Sequence, residues 1–334
     1  MGQLLPERHK QTDFFVCDIL DATPKDDIGS MEHPMFTLSK KPDRRIRRYE
    51  HNGEYIEIKP GFHGLANIFD KDILIFAISM LIAGMNEGRE PSKTICLTAY
   101  DLLHTTNRPT DGDAYQRLKA AFNRLEGTRI ETCLRTGGKE ITRGFGLIDS
   151  WEIIRKDKKG RMEGIEMTLS DWLYNAILAK EVLTISPDYF RIGKPIERRI
   201  YELCRKHCGR QPKWEISLKL LHKKVGATAP LKKFRFLVKD IAASDHIPDY
   251  WIKLDGERDV LIARPRQAAA DKTKRSGPRL KTKTYETAAQ ILGAHGLDKY
   301  AIEEEWREWI TGKEPPHNPD GAYIGFCKMK IASL

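Results

Sequence analysis

Hydrophobic positions along residues 70–86 are too dense for a surface strand and too short for a membrane span, which predicts a core helix. Asp70 stands as its cap and Gly88 lies beyond its end. A short strand over 95–97 follows. Thr98 and Asp101 then have the spacing of a capping box, with Asp in place of Glu, and start a short helix. After a break at 107–112, Leu118, Ala121, Phe122 and Leu125 recur at i, i+3, i+4 and i+7, predicting a helix over 113–126 that stops at Gly127. Arms at 128–134 and 141–148 flank Gly137-Gly138, and arms at 151–155 and 165–169 flank Lys158-Lys159-Gly160, so two hairpins are expected. Helix, strand, helix, turn, helix, hairpin is the order of a winged helix-turn-helix.

Residues 191–265 repeat that order in shorter form. A helix over 194–207 ends at Gly209, a strand covers 214–216, and Ser217 opens a short helix that Gly226 breaks. A helix over 230–243 carries the stripe Phe234, Leu237, Val238 and Ile241, and arms at 250–254 and 259–263 flank Gly256. Leu102-Leu103-His104 in the first copy matches Leu220-Leu221-His222 in the second. The expected fold class is α+β, with two tandem winged helix-turn-helix domains at 54–190 and 191–265. An extended N-terminal arm covers 1–53, interrupted by Pro6, Pro24, Pro34 and Pro42. It contains the apolar stretch 14–20 and the cluster Arg44, Arg45, Arg47 and Arg48. A basic linker covers 266–283 and a helical segment 284–334, with helices over 285–292, 299–310 and 323–331.

Composition narrows the class. The 334 residues are 31% charged and 40% hydrophobic, a globular rather than a disordered balance. No run reaches the length of a membrane span, and the N-terminus lacks the apolar region of a signal peptide, so a cytoplasmic protein is expected. The six scattered cysteines fit reduced thiols. The net charge of +10 is uneven: residues 191–283 hold 25 basic and 10 acidic side chains, and the rest of the chain is slightly acidic. That local excess points to a polyanion.

Catalytic patterns are missing. Gly137-Gly138-Lys139 is followed by Glu140, which suits a hairpin turn and not a phosphate loop, and Gly144-Phe145-Gly146 lies inside a hairpin arm. There is no HxH pair of the kind a DNA nickase uses to hold its metal. Asp111-Gly112-Asp113 reads as helix capping. Cys204, His207 and Cys208 lie within about one helical turn but have no second ligand pair. The expectation is a non-enzyme without cofactor or metal.

The informative positions are the outer faces of the two helices that follow each helix-turn. On the first lie Gln116, Lys119, Ala120, Asn123 and Arg124; on the second lie Lys232, Lys233, Arg235, Phe236 and Lys239. Amides and guanidinium groups read adenine and guanine edges, and ammonium groups hold phosphates. Phe236 fits a thymine methyl or sugar, or equally the cover of a neighbouring domain. Arg135, Lys139 and Arg143 in the first wing, and Lys253, Arg258 and Arg264 in the second, are candidate contacts to flanking backbone.

The stretch from Lys194-Pro195-Ile196-Glu197-Arg198-Arg199-Ile200-Tyr201-Glu202-Leu203-Cys204 to Arg205-Lys206-His207-Cys208-Gly209 opens the second copy. With Trp306, Trp309 and the run Asn318-Pro319-Asp320-Gly321-Ala322-Tyr323, it resembles the plasmid replication initiator protein A family of bacteria. The resemblance covers about residues 50–334, and the first fifty residues resemble nothing named. It implies an initiator that binds repeated double-stranded DNA sites at a plasmid origin. It further implies opening of the adjacent AT-rich duplex, recruitment of the host initiator and replicative helicase, and a monomer–dimer equilibrium. In that equilibrium dimers, joined through the first winged helix, repress the protein's own promoter. A stand-alone transcriptional regulator with the same DNA contacts is the alternative reading.

Overall fold

The computed structural model describes residues 2–9, 30–31, 33–51, 54–86, 88–136, 139–155, 162–179, 182–209, 211–266, 280–293, 299–310, 316 and 318–332. The apolar stretch 14–20, both expected glycine and lysine turns (Gly137-Gly138 and Lys158-Lys159-Gly160) and residues 267–279 of the basic linker lie outside the described residues. Met1–Arg266 forms one compact unit and Gln267–Leu334 a second.

The larger unit has two hydrophobic cores and a repeated plan. In the first module, α1 (Lys71–Asn86) precedes β3 (Thr94–Leu97), α2 (Ala99–Thr105) and α3 (Gly112–Gly127). β6 (Ile148–Arg155) and β7 (Met162–Leu169) then return as an antiparallel ribbon, and β3 pairs with β7 to give the order β3-β7-β6. In the second module α5 (Pro195–His207) precedes β8 (Trp214–Ser217), α6 (Leu218–Val225) and α7 (Leu231–Ser244). β9 (Tyr250–Asp255) and β10 (Val260–Pro265) complete the sheet in the matching order β8-β10-β9. Leu97 faces Ile165 in one sheet, and Ile216 faces Leu261 in the other.

Local chemistry sets these elements. Thr98 caps α2 by accepting from the Asp101 amide, and Ser217 caps α6 from the Leu220 amide. Gly226 ends α6 at φ 72, a left-handed conformation that suits glycine. The Asp111 carboxylate accepts the Ala114 amide at 2.7 Å, so this acid is the cap that the sequence suggested. Leu118, Ala121, Phe122 and Leu125 are buried in the first core, and Phe234, Val238 and Ile241 in the second. Asp70 behaves differently from the expected helix cap: its carboxylate takes the Asn67 amide at 2.9 Å and the Arg124 guanidinium.

Three parts of the first module depart from the sequence expectation. Residues 129–136 and 139–146 do not form its wing. Here β4 (Arg129–Thr136) and β5 (Lys139–Gly146) join β1 (Arg47–His51) and β2 (Glu54–Lys59) in a separate sheet of order β1-β2-β4-β5. Alternating polar and apolar arms fit either ribbon equally well; the partner strand decides, and β1 lies in what read as an arm. Arg45 and Arg47 there converge on the buried carboxylate of Asp43. Finally, α4 (Asp171–Leu178), capped by Ser170, covers the first core and had not been anticipated.

The modules meet through α1 and α5 along a buried ionic seam. Arg198 Nη1 lies 2.5 Å from Asp72 Oδ1, and Arg108 Nη2 lies 2.9 Å from Asp72 Oδ2. Glu202 receives Lys71 Nζ at 2.9 Å, Arg199 Nη1 at 2.9 Å and the Tyr189 hydroxyl at 2.7 Å. Arg199 also donates to the Lys224 and Ser30 carbonyls. Four charged residues of the text that carried the family resemblance, Glu197, Arg198, Arg199 and Glu202, are therefore interior structure.

In the smaller unit, α8 (Thr282–Gly293), α9 (Lys299–Ile310) and α10 (Pro319–Ala332) pack around Ala288, Leu292, Ile302, Trp306, Tyr323 and Phe326. Asp320 ties the start of α8 to that of α10 by accepting the Lys281 amide at 2.9 Å and the Thr284 hydroxyl at 2.6 Å. Trp306 is core, whereas Trp309 is half exposed.

Candidate nucleic-acid interface

α3 and α7 occupy the same place in their modules, each burying its apolar stripe and turning the opposite face outward. On α7 the outward face holds Lys232, Lys233, Arg235, Phe236 and Lys239. Lys232 and Lys233 lie one turn before Phe236 and Lys239 one turn after it, so the phenyl ring, 71% exposed, shares its helix face with three lysines. None of the three lysines pairs with a carboxylate among the described residues. Arg235 does: its Nε and Nη2 lie 2.8 and 2.7 Å from the two oxygens of Asp259. The hydrogen bond from Arg235 holds the Asp259 carboxyl below its ordinary range, so the pair is charged on both sides.

The face of α3 is less basic and more tied down. Gln116 and Lys119 are exposed and Asn123 is half-buried. Arg124 is not available as a reader: its Nε and Nη2 each lie 2.7 Å from the Asp70 oxygens, with the guanidinium 19% and the carboxylate 3% exposed. The reason is helical geometry, since Arg124 lies five residues, about 1.4 turns, beyond Lys119 and so points well round the helix from it, toward the start of α1. Arg124 is a strut between α3 and α1, a correction to its assignment as a contact residue.

The expected wing residues separate in the same way. Arg143 is exposed on β5, and Arg135 and Lys139 belong to β4 and β5, all in the four-stranded sheet rather than in the β6–β7 ribbon. The ribbon equivalent to β9–β10 is therefore not the one that carries them. In the second module Lys253 and Arg264 are exposed on β9 and β10, and Arg258 at the ribbon turn donates to Glu215 at 2.8 Å. Arg258 and Lys213 pull the Glu215 carboxyl down to about 2. Asp259 and Glu215 were missed in the sequence, because acids 24 and 43 residues from their arginines carry no local signal.

The thiols that suggested a metal point elsewhere. Cys204 and Cys208 are buried in the second core, and His207 stacks on Trp214. Burial pushes the Cys208 thiol up to about 11 and Cys204 higher still, which favours protonated sulfur over thiolate. Among the described residues no group of three or more His, Cys, Asp or Glu is gathered as a metal site. A cleft of about 390 Å³ beside α2, lined by Phe76, Cys96, Tyr100 and His104 among others, shares no residue with either helix face. No described helix is long and apolar enough to cross a membrane.

The family model for Replication initiator protein A matches residues 25–252. This chain belongs to the replication initiator protein A family. The match begins inside the N-terminal arm, where no resemblance was expected, and ends before the tryptophan-containing C-terminal text that had supported it. A putative replication protein of Wigglesworthia glossinidia brevipalpis is 44% identical over 262 residues, covering 77% of this chain and 94% of that protein. Among solved structures, domains 2 and 3 of RctB (selenomethionine derivatives) share the fold at a TM-score of 0.53 and 11% identity, over 70% of this chain and 95% of that one.

Proposed function

We propose that this initiator-family chain binds repeated double-stranded DNA sites at a plasmid origin through two winged helix-turn-helix modules. Bound copies open the adjacent duplex and recruit the host initiator and replicative helicase. The observation that carries the reading is the outward lysine face of α7, set where α3 stands in the first module. Lys232, Lys233 and Lys239 suit phosphate contacts, and Gln116 and Asn123 suit base edges. The β9–β10 ribbon, with Lys253 and Arg264 exposed, fits a wing along the flanking backbone. Dimers formed through the first module repress the protein's own promoter. The chemistry is binding without catalysis, and the site of action is the cytoplasm.

Footprinting on the DNA beside the gene tests this directly. Protection of direct repeats over random duplex is the expected result. Equal binding to both overturns the sequence-specific reading. Repeat protection without replication of a plasmid carrying the gene and its repeats, in every host tried, favours a stand-alone regulator. Nicked product from supercoiled origin DNA with Mg²⁺ contradicts the non-catalytic assignment.

A further inference from the structure

A guanidinium has two edges, each able to present paired N–H donors: Nε with Nη2, and Nη1 with Nη2. Asp259 takes the first edge of Arg235 in bidentate fashion, at 2.8 and 2.7 Å. The second edge remains as a fork of parallel donors. Guanine offers two acceptors, N7 and O6, side by side in the major groove, whereas adenine offers one acceptor and one donor. We propose that Arg235, aimed by Asp259, reads a guanine in the site that this protein binds, with Asp259 as its positioning residue.

Three further observations support this. Arg235 is the fifth residue of α7, and residues near the start of such a helix are the ones that reach base edges. The arginine is 45% and the aspartate 38% exposed, so the pair stands at the surface. Asp259 is itself held: it sits at φ 53 before β10, and its carbonyl accepts the Leu218 amide at 2.9 Å. The aim of the guanidinium is thus fixed by the ribbon and by the start of α6 together. Arg124 shows the contrast, since it uses the same edge on Asp70 but is sunk between two helices.

This inference rests on the DNA-binding reading, and the test separates the two. Duplexes are selected by the full chain from a randomised pool. Each guanine of a selected duplex is then replaced singly by 7-deazaguanine, which lacks the N7 acceptor. The wild type is expected to lose about tenfold in affinity at one guanine. Arg235→Lys keeps the charge but not the fork, and Asp259→Asn keeps a residue that tolerates positive φ but offers one acceptor oxygen instead of two. Both variants are expected to lose less than twofold at that guanine, with the salt dependence of binding unchanged. Equal sensitivity of all three proteins at every guanine, or no sensitive guanine in the wild type, overturns the guanine assignment while leaving DNA binding intact. Failure of the wild type to select any sequence overturns the DNA reading and this inference with it.

Discussion

The two modules share a plan and differ in what they do with charge. Both place an arginine on the helix that follows the turn, and both bind it bidentately to an aspartate. In the first module that pair is a buried strut joining α3 to α1. In the second it stands at the surface, on a helix face whose lysines have no carboxylate partner within the described residues. The same two residue types are therefore sunk in the interior in one copy and set at the surface in the other, and exposure separates the two where spacing does not.

The largest expected effect tests what joins the modules. Glu202 receives Lys71, Arg199 and Tyr189 in the seam. Glu202→Ala leaves two buried cations without their carboxylate and is expected to cost about 3–5 kcal/mol in urea unfolding followed by circular dichroism. A cost below about 1 kcal/mol would show that the seam is not what holds α1 against α5.

The next contrast concerns the two arginines. Arg124→Ala leaves the buried Asp70 carboxylate with only its backbone donor and is expected to cost about 2 kcal/mol. Arg235→Ala is expected to leave the urea midpoint unmoved and to change DNA selectivity instead. Equal stability losses would erase the distinction between strut and reader.

Acid sensitivity sharpens a difference that the sequence hid. Burial raises the Asp43 carboxyl, but hydrogen bonds from Arg45 and Arg47 outweigh it and hold the group well below the usual range. A depressed folded value means stability is present above the unfolded value of about 3.9 and is lost as pH falls below it. Wild-type stability should therefore be flat from about pH 7 to 5 with respect to this group and fall toward lower pH. Asp43→Asn should be less stable at neutral pH and show a shallower acid slope. An unchanged slope would remove the arm from the folded module.

The smallest effect is a shared one. Thr98→Ala and Ser217→Ala each remove an N-cap at equivalent places and should each cost about 1 kcal/mol in the same urea assay. A marked inequality would mean that α2 and α6 are less alike than their caps suggest.

Much of the repeat was legible in sequence because periodicity and caps are local. The stripes of α3 and α7, the Thr98, Asp111 and Ser217 caps and the Gly226 stop all follow from neighbouring residues. Strand partnership is not local, so β4–β5 read as a wing until β1 and β2 claimed it. Charge counting was blind to burial in the same way. Arg198 and Arg199 contributed to the basic excess of residues 191–283, yet both are interior and neutralised by Asp72 and Glu202. The lysines of α7 survive that correction, and the DNA reading now rests on them.

Salt dependence tests that reading most directly. Affinity of the full chain for the DNA repeats beside the gene is measured across a series of salt concentrations, for wild type, a Lys232→Ala/Lys233→Ala/Lys239→Ala variant and a Gln116→Ala/Asn123→Ala variant. Each lysine that neutralises a phosphate contributes about 0.9 to the slope of log affinity against log salt. The account predicts that the α7 variant flattens the slope by about 2–3, while the α3 variant keeps the wild-type slope and loses preference between sequences. Identical slopes for wild type and the α7 variant would contradict it.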